Sequence, residues 1–264
     1  MRLERVSVEV PTRAPGGRTA AYVVGSASGL LVDPAAADER IERRLGEVDH
    51  VAVTHHHPDH LDRVAAYAAA ADAMVWCRYG RAGDFERATG VEPDRTFREG
   101  TTIPVDDGGV VVRETPGHTP EHVGFELGAN GDDNGDRRLL VGDLAVAEGS
   151  VTVSSPEGDM RAYLTSLRRV RAMGFDMLYP AHGPAIDDPA STCDRLISHR
   201  LSRERRVLSA VEAGNRTVDA LLDAAYEKDL TGVRDLAGMT VRAHLDKLHH
   251  ERRVRWDGSR ADPA

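Results

Sequence analysis

Thr54-His55-His56-His57-Pro58-Asp59-His60 is the stretch that decides how this 264-residue chain folds. Five of its side chains can ligate a transition metal, and His55, His57, Asp59 and His60 have the spacing of a site. The stretch follows a β-rich run, His50 to Thr54, and precedes a helix-like run from Leu61 to Ala71, so it stands where a strand gives way to a helix. In extended backbone His55 and His57 point to the same side, because side chains alternate with period two. Pro58 forbids further strand pairing and turns the chain. Asp59 and His60 follow at the helix entry, where free N–H groups also favour a carboxylate. One imidazole pair and one carboxylate–imidazole pair then face a common point, enough for two adjacent metals. A polyhistidine surface run would need no Asp at that spacing.

His55-x-His57-x-Asp59-His60 resembles the signature of the metallo-β-lactamase superfamily, whose members complete the site with a distant His, a bridging Asp and a final His, each at a strand end. The matching residues occur in that order: His118 after Thr115-Pro116-Gly117, Asp143 after Leu140-Val141-Gly142, and His182 after Tyr179-Pro180-Ala181. The resemblance covers residues 1–190 and implies an α/β fold, the αββα sandwich of that family. It further implies two zinc ions per chain: His55, His57 and His118 for one, Asp59, His60 and His182 for the other, and Asp143 between them. A bridging hydroxide would be the nucleophile, with Asp59 as the catalytic side chain that orients it. Asp33, ending Leu30-Leu31-Val32, matches the acidic residue that the family places beneath the metals, where it would orient a ligand. A plain turn or N-cap residue before a helix over 35–45 is an equal reading of Asp33. Ala181 stands where the family usually has Gly, a mild departure that a small residue should accommodate.

Further along, alternation over Val6–Val10 and Ala20–Val24, with Gly-marked turns, predicts an antiparallel set. Strands alternating with helices then predict layers of sheet and helix. Residues 78–102 read as a polar surface excursion and 128–136 as a solvated hairpin tip. His122 could hold a ligand or a substrate, but its setting reads rather as a loop or strand edge. Met160, Tyr163, Leu164, Leu167, Val170 and Met173 form the 3.6-period stripe of a packed helix within 158–173. Gly142 is expected to clear room for metals near the backbone.

The basic residues are 32 Arg against only Lys228 and Lys247, net charge is −9, and Asp outnumbers Glu 26 to 17. Such a surface suits salt adaptation or plain codon bias, and it describes solubility, not substrate. Cys77 and Cys193 lie alone, without a CxxC or a disulfide framework, and read as small buried hydrophobes. With no signal-peptide core and no apolar run long enough to cross a bilayer, the protein is expected to be cytoplasmic and not membrane-bound.

After Pro189 the character changes. An Arg-rich helix over 190–213, a second helix capped by Thr217, a third over 240–251 and the basic segment 252–256 predict a small, α-rich, winged-helix-like domain over 191–264, with a wing that is short or frayed. Residues 1–190 form the catalytic domain in this division. They carry a balance of −11, whereas 191–264 carry +2. A metallo-β-lactamase domain followed by such a module is similar to a group that includes endoribonucleases and thioesterases, with glyoxalase-II-like relatives. The resemblance therefore implies a hydrolase acting on an ester, thioester, lactone or phosphodiester. Its partner would be a small acyl substrate or a single-stranded RNA gripped by the C-terminal module, which also has a dimerising role open to it. A mono-iron persulfide dioxygenase shares parts of the motif and is a further alternative. His57, where di-iron oxygen-reducing relatives carry Glu, favours zinc. The seven-residue ligand set argues against a vestigial site in a non-enzymatic regulator.

Overall fold

A computed structural model describes residues 1–106, 108–128, 135–227 and 229–264. The N-terminal strands β1 (Leu3–Glu9), β2 (Arg18–Val24) and β3 (Gly29–Val32) pair antiparallel, as the alternation and glycine turns predict. Three parallel strands extend that sheet: β4 (Val48–Ala52), β5 (Met74–Arg78) and β6 (Arg95–Phe97). Parallel neighbours need crossovers. These run through the short α1 (Glu39–Glu42), α2 (Val64–Ala71) and α3 (Ala82–Thr89).

The second sheet runs in the order β11-β10-β9-β8-β7, with β7 at Thr102–Val105, β8 at Gly108–Glu114, β9 at Val123–Leu127, β10 at Arg138–Gly142 and β11 at Met177–Pro180. Its only parallel pair among the described residues, β10 with β11, is joined through α4 (Met160–Met173), which Asp159 caps by accepting from Arg161 and Ala162 N–H.

Period-two alternation sorts the side chains into layers. Val6, Ala21, Val23, Leu31 and Val51 face Val64, Tyr67 and Phe85 of the outer helices. Their neighbours Ala20, Tyr22, Val24, Leu30 and Val32 turn inward onto Val110, Val112, Phe125 and Leu140 of the second sheet. Leu139 and Val141 face outward again, onto Tyr163, Leu164 and Leu167 of α4. The result is an α/β fold with mixed sheets, helices lying outside each.

Three local expectations need correction. The helix over 35–45 shrinks to α1 and a 3-10 turn at Leu45–Glu47, where Ile41 is the one large apolar side chain that is fully buried. The 78–102 excursion contains α3 and β6, each anchored by one buried aromatic, Phe85 and Phe97; a single apolar residue per element leaves no periodic signal. Of the supposed hairpin tip at 128–136, residues 129–134 lie outside the described residues.

The C-terminal part comprises α5 (Pro189–Glu212), α6 (Val218–Ala225), α7 (Arg234–His250) and the paired strands β12 (Val254–Trp256) and β13 (Ala261–Pro263). The residues past Trp256 are thus ordered as a two-stranded hairpin. The helix α7 begins at Arg234, ahead of the expected Thr240. One end of α5 packs with α4 through Cys193 and Leu196; the other joins Leu221, Val241, Leu245 and Trp256 in a core of their own. No helix among the described residues is long and apolar enough to cross a membrane.

Candidate metal centre

Each predicted ligand stands just beyond a strand. β4 ends at Ala52, and a 3-10 turn over Pro58–His60 brings Asp59 and His60 back toward His55 and His57. His118 sits in the turn between β8 and β9, Asp143 directly after β10 and His182 two residues after β11. All seven side chains converge, in three overlapping groups: His55 with His57 and His118, His55 with His60 and Asp143, and Asp59 with His60 and His182, the candidate donor atoms of each group lying within 4.8 Å of one another. His56 does not join them. Its N–H donates to Glu121 Oε1 at 3.1 Å and its ring packs edge-on against Phe85.

The imidazoles are turned by what holds their far nitrogens. Nδ1 of His118 donates to the Thr152 carbonyl at 2.7 Å and Nδ1 of His182 to the Arg18 carbonyl at 2.8 Å. Nδ1 of His60 donates to Asp33 Oδ2 at 3.1 Å, and Nδ1 of His55 lies 3.0 Å from Thr54 Oγ1. These bonds turn each Nε2 inward, where, once deprotonated, it offers the lone pair a metal requires. His57 is reversed. Its Nε2 lies 3.1 Å from Glu157 Oε2, while its Nδ1 is 3.0 Å from both His55 Nε2 and His118 Nε2.

Asp33 lies under the centre. Its carboxylate also accepts from Thr54 N–H at 2.7 Å and Thr54 O–H at 2.8 Å, so one buried acid fixes His60 and the chain entering the motif. The residue adopts φ 51°, a left-handed conformation uncommon outside Gly and held here by these bonds. Burial alone would lower the His60 pKa, but the Asp33 carboxylate reverses this and raises it to about 9. Asp143 shows the opposite balance: burial would raise its pKa, and His182, His118 and His60 together drive it well below the usual carboxylate range.

Two buried polar atoms at the centre have no hydrogen-bond partner, His60 Nε2 and Asp143 Oδ1. Native interiors rarely leave such atoms unpaired. Asp143 Oδ2 is 3.5 Å from His118 Nε2, and Oδ1 is 3.4 Å from His182 Nε2, so one carboxylate faces both ends of the cluster. A set of imidazoles and carboxylates with orphaned inward atoms is chemically suited to divalent transition metals.

Sequence reasoning misplaces His122 and passes over Glu157. His122 is fully buried: its Nδ1 lies 2.9 Å from Thr115 Oγ1 and its Nε2 accepts the Asp143 N–H at 3.0 Å. Burial, with His118 close by, lowers its pKa to about 3, which keeps it a neutral acceptor. Gly142 makes that bond feasible. A Cβ there would stand 2.7 Å from His122 Nε2 and 2.9 Å from Thr54 Cβ, at φ 53°, so the glycine clears room for these two side chains. Glu157 is separated from His57 by 100 residues, and no spacing rule pairs them. The Ala181 departure is harmless. Its backbone links the two sheets, the N–H donating to the Gly142 carbonyl and the carbonyl accepting from Ala20.

Above the cluster opens a cavity of about 460 Å³, whose floor includes His57, Asp59, His118, Asp143 and His182.

A model of the Metallo-beta-lactamase superfamily matches residues 14–182. A "Beta-lactamase-like protein 2 homolog" of Caenorhabditis elegans is 27% identical over 205 residues, covering 76% of this chain and 65% of that protein. The Drosophila melanogaster protein of the same name is 24% identical over 256 residues, covering 90% of this chain and 84% of its own length. An "Atrochrysone carboxyl ACP thioesterase" of Aspergillus fumigatus is 25% identical over 207 residues, 77% of this chain and 42% of that protein. Among solved structures, a metallo-beta-lactamase family protein of Thermus thermophilus superposes with a TM-score of 0.78 at 22% identity, covering 99% of this chain and 98% of that one, which shows the fold. TTHA1623, solved in a di-iron-bound form, is 26% identical with a TM-score of 0.52, covering 70% of this chain and 94% of that one. With the match running from the β1–β2 loop to the last of the converging histidines, the chain belongs to the metallo-beta-lactamase superfamily.

Proposed function

We propose that this metal-dependent hydrolase uses two zinc ions to cleave an ester or thioester of a small acyl substrate. His55 Nε2, His57 Nδ1 and His118 Nε2 would hold one ion, Asp59, His60 Nε2 and His182 Nε2 the second, with Asp143 shared. The observation that carries the dinuclear reading is the placement of the two Asp143 oxygens, one beside His118 and one beside His182. Bound zinc supplies Lewis acidity, which lowers the pKa of water from 15.7 to about 7 and polarises a scissile carbonyl. Asp59 is a partly exposed carboxylate on the cavity floor, with Oδ2 3.7 Å from His182 Nε2. From there it would orient the attacking water and hold its proton at that oxygen. Asp33, His122 and the carbonyls of Thr152 and Arg18 keep the ligands in place, so little reorganisation accompanies reaction.

The ester or thioester reading draws on the Aspergillus thioesterase among the relatives, and lactones are included in it. Residues 1–190 would be the catalytic unit. Residues 191–264, with α6, α7 and the β12–β13 hairpin, would be a winged-helix-like unit. Iron is the alternative occupant, suggested by the di-iron-bound TTHA1623.

The test is a panel of thioesters, lactones and single-stranded RNA with zinc-loaded protein. Acyl hydrolysis that is lost in His57→Ala and in Asp143→Ala, with the melting transition retained, is the expected outcome. RNA cleavage without acyl hydrolysis would assign the site to phosphodiesters.

A further inference from the structure

Part of the cavity wall is apolar, beside the polar Thr12, Glu148, Ser150 and Ser154. Pro11 and Pro15 come from the β1–β2 loop, Val146 and Val151 from the segment after Asp143, and Leu236 from the first turn of α7. Apart from histidines, the only cation among the described lining residues is Arg13. Its guanidinium makes a two-pronged ion pair with Asp235 and donates to the Gly232 carbonyl at 2.8 Å. A groove for RNA needs several free cations, because phosphate contacts supply most of the affinity.

Three of the five arginines of α5 are already engaged. Arg195 donates to the Gly149, Val146 and Ala147 carbonyls at 2.6, 2.7 and 3.0 Å, and the buried Arg200 donates to the Val151 carbonyl. Arg203 donates to the Ala225 carbonyl at 2.7 Å and stacks on Tyr226. The first two therefore brace one apolar wall of the cavity. The α7 segment is anchored as well: Ser155 N–H donates to the Met239 carbonyl of α7, and Ala243 is buried in the α4–α5 core. Val233, at the N-cap of α7, and Met239 stand three residues on either side of Leu236 and are exposed.

We propose that the substrate carries an apolar acyl chain lying between Pro11, Pro15, Val146 and Leu236, and that Leu236 determines specificity for that chain. This rests on the acyl hydrolase reading and narrows its substrate class. In the reaction the water oxygen joins the acyl carbon and the carbon–sulfur or carbon–oxygen bond breaks. One water proton goes to the departing thiolate or alkoxide and the other, on forming the carboxylate, to solvent.

The experiment uses the zinc-loaded full chain and N-acetylcysteamine thioesters from acetyl to decanoyl. Apolar burial is worth about fourfold per methylene in kcat/KM, so wild-type values should climb by about that step until the cavity is full. The decanoyl-to-acetyl ratio should fall at least tenfold in Leu236→Arg and, independently, in Val146→Arg, with zinc content and melting temperature matching wild type. Binding of decanoate followed by calorimetry should weaken at least tenfold in the same variants, a readout that does not depend on turnover. Thioester hydrolysis with a flat chain-length series, or with ratios unmoved in both variants, would overturn the role of Leu236 and leave the hydrolase reading intact. Absence of both hydrolysis and decanoate binding in zinc-loaded protein would overturn the two together.

Discussion

At the scale of single residues, the centre depends on side chains that do not line the cavity. Glu157 is the clearest case, since it holds His57 so that Nδ1, not Nε2, faces inward. Removing a partner of a ligating histidine typically costs 10–100-fold in metal affinity. Glu157→Gln, which keeps the shape but loses the charge, should weaken zinc binding by about tenfold in a competitive chelator titration; unchanged affinity would show that His57 needs no such partner. Asp106 makes a second test, away from the metals. Its carboxylate accepts from the N–H groups of Ser26, Ala27 and Ser28, which ties the β7–β8 turn to the β2–β3 turn. These bonds hold its pKa below the ordinary value. A depressed folded pKa stabilises above the unfolded value, about 3.9, and that contribution disappears as pH falls through the folded pKa. The gap in melting temperature between wild type and Asp106→Asn should therefore be present at pH 6 and shrink toward pH 3. A gap independent of pH would remove the carboxylate's charge from the explanation. The candidate ligands are legible in sequence because His-x-His-x-Asp-His leaves few chemical readings. Glu157 and His122 are not, because their roles arise from contacts between distant segments.

At the scale of elements, legibility follows the strength of the hydrophobic period. Helix α4 carries a full apolar stripe from Met160 to Met173, and that stripe alone marks its extent. Helix α3 has one buried residue, Phe85, and gives no such mark. The Arg-rich α5 is legible as a helix, but the destination of its arginines is not, since a cation facing a carbonyl and one facing solvent look identical in sequence. In the structure α5 is a wall of the sandwich as well as a link: Cys193 and Leu196, both fully buried, pack with α4. Burying one such aliphatic side chain contributes about 1.5–3 kcal/mol, against a total stability of roughly 5–15 kcal/mol. A chain ending at Pro189 should accordingly aggregate or melt at least about 10 °C below the full chain. A soluble, monomeric truncation with an unchanged melting temperature would show that α5 is peripheral to the core.

For the whole molecule, the net charge of −9 is spread over a surface rich in Asp and Arg. If hydrated carboxylates are the reason for that composition, screening of their mutual repulsion should raise the melting temperature from dilute buffer to molar KCl. A flat or falling trend would leave codon bias as the explanation. The layered fold is legible as a whole because each strand's alternation already divides its side chains between two cores. The convergence of the His55–His60 motif with His118, Asp143 and His182 on one centre is what only the tertiary structure displays. The most direct measurement is therefore metal stoichiometry by mass spectrometry, on wild type and on Asp143→Ala, alongside hydrolysis by the same preparations. Wild type should hold about two transition metals per chain, zinc foremost, and Asp143→Ala should hold fewer and hydrolyse nothing. A fully active wild-type preparation free of metal, or an Asp143→Ala protein with two metals and undiminished turnover, would contradict a centre organised around that shared carboxylate.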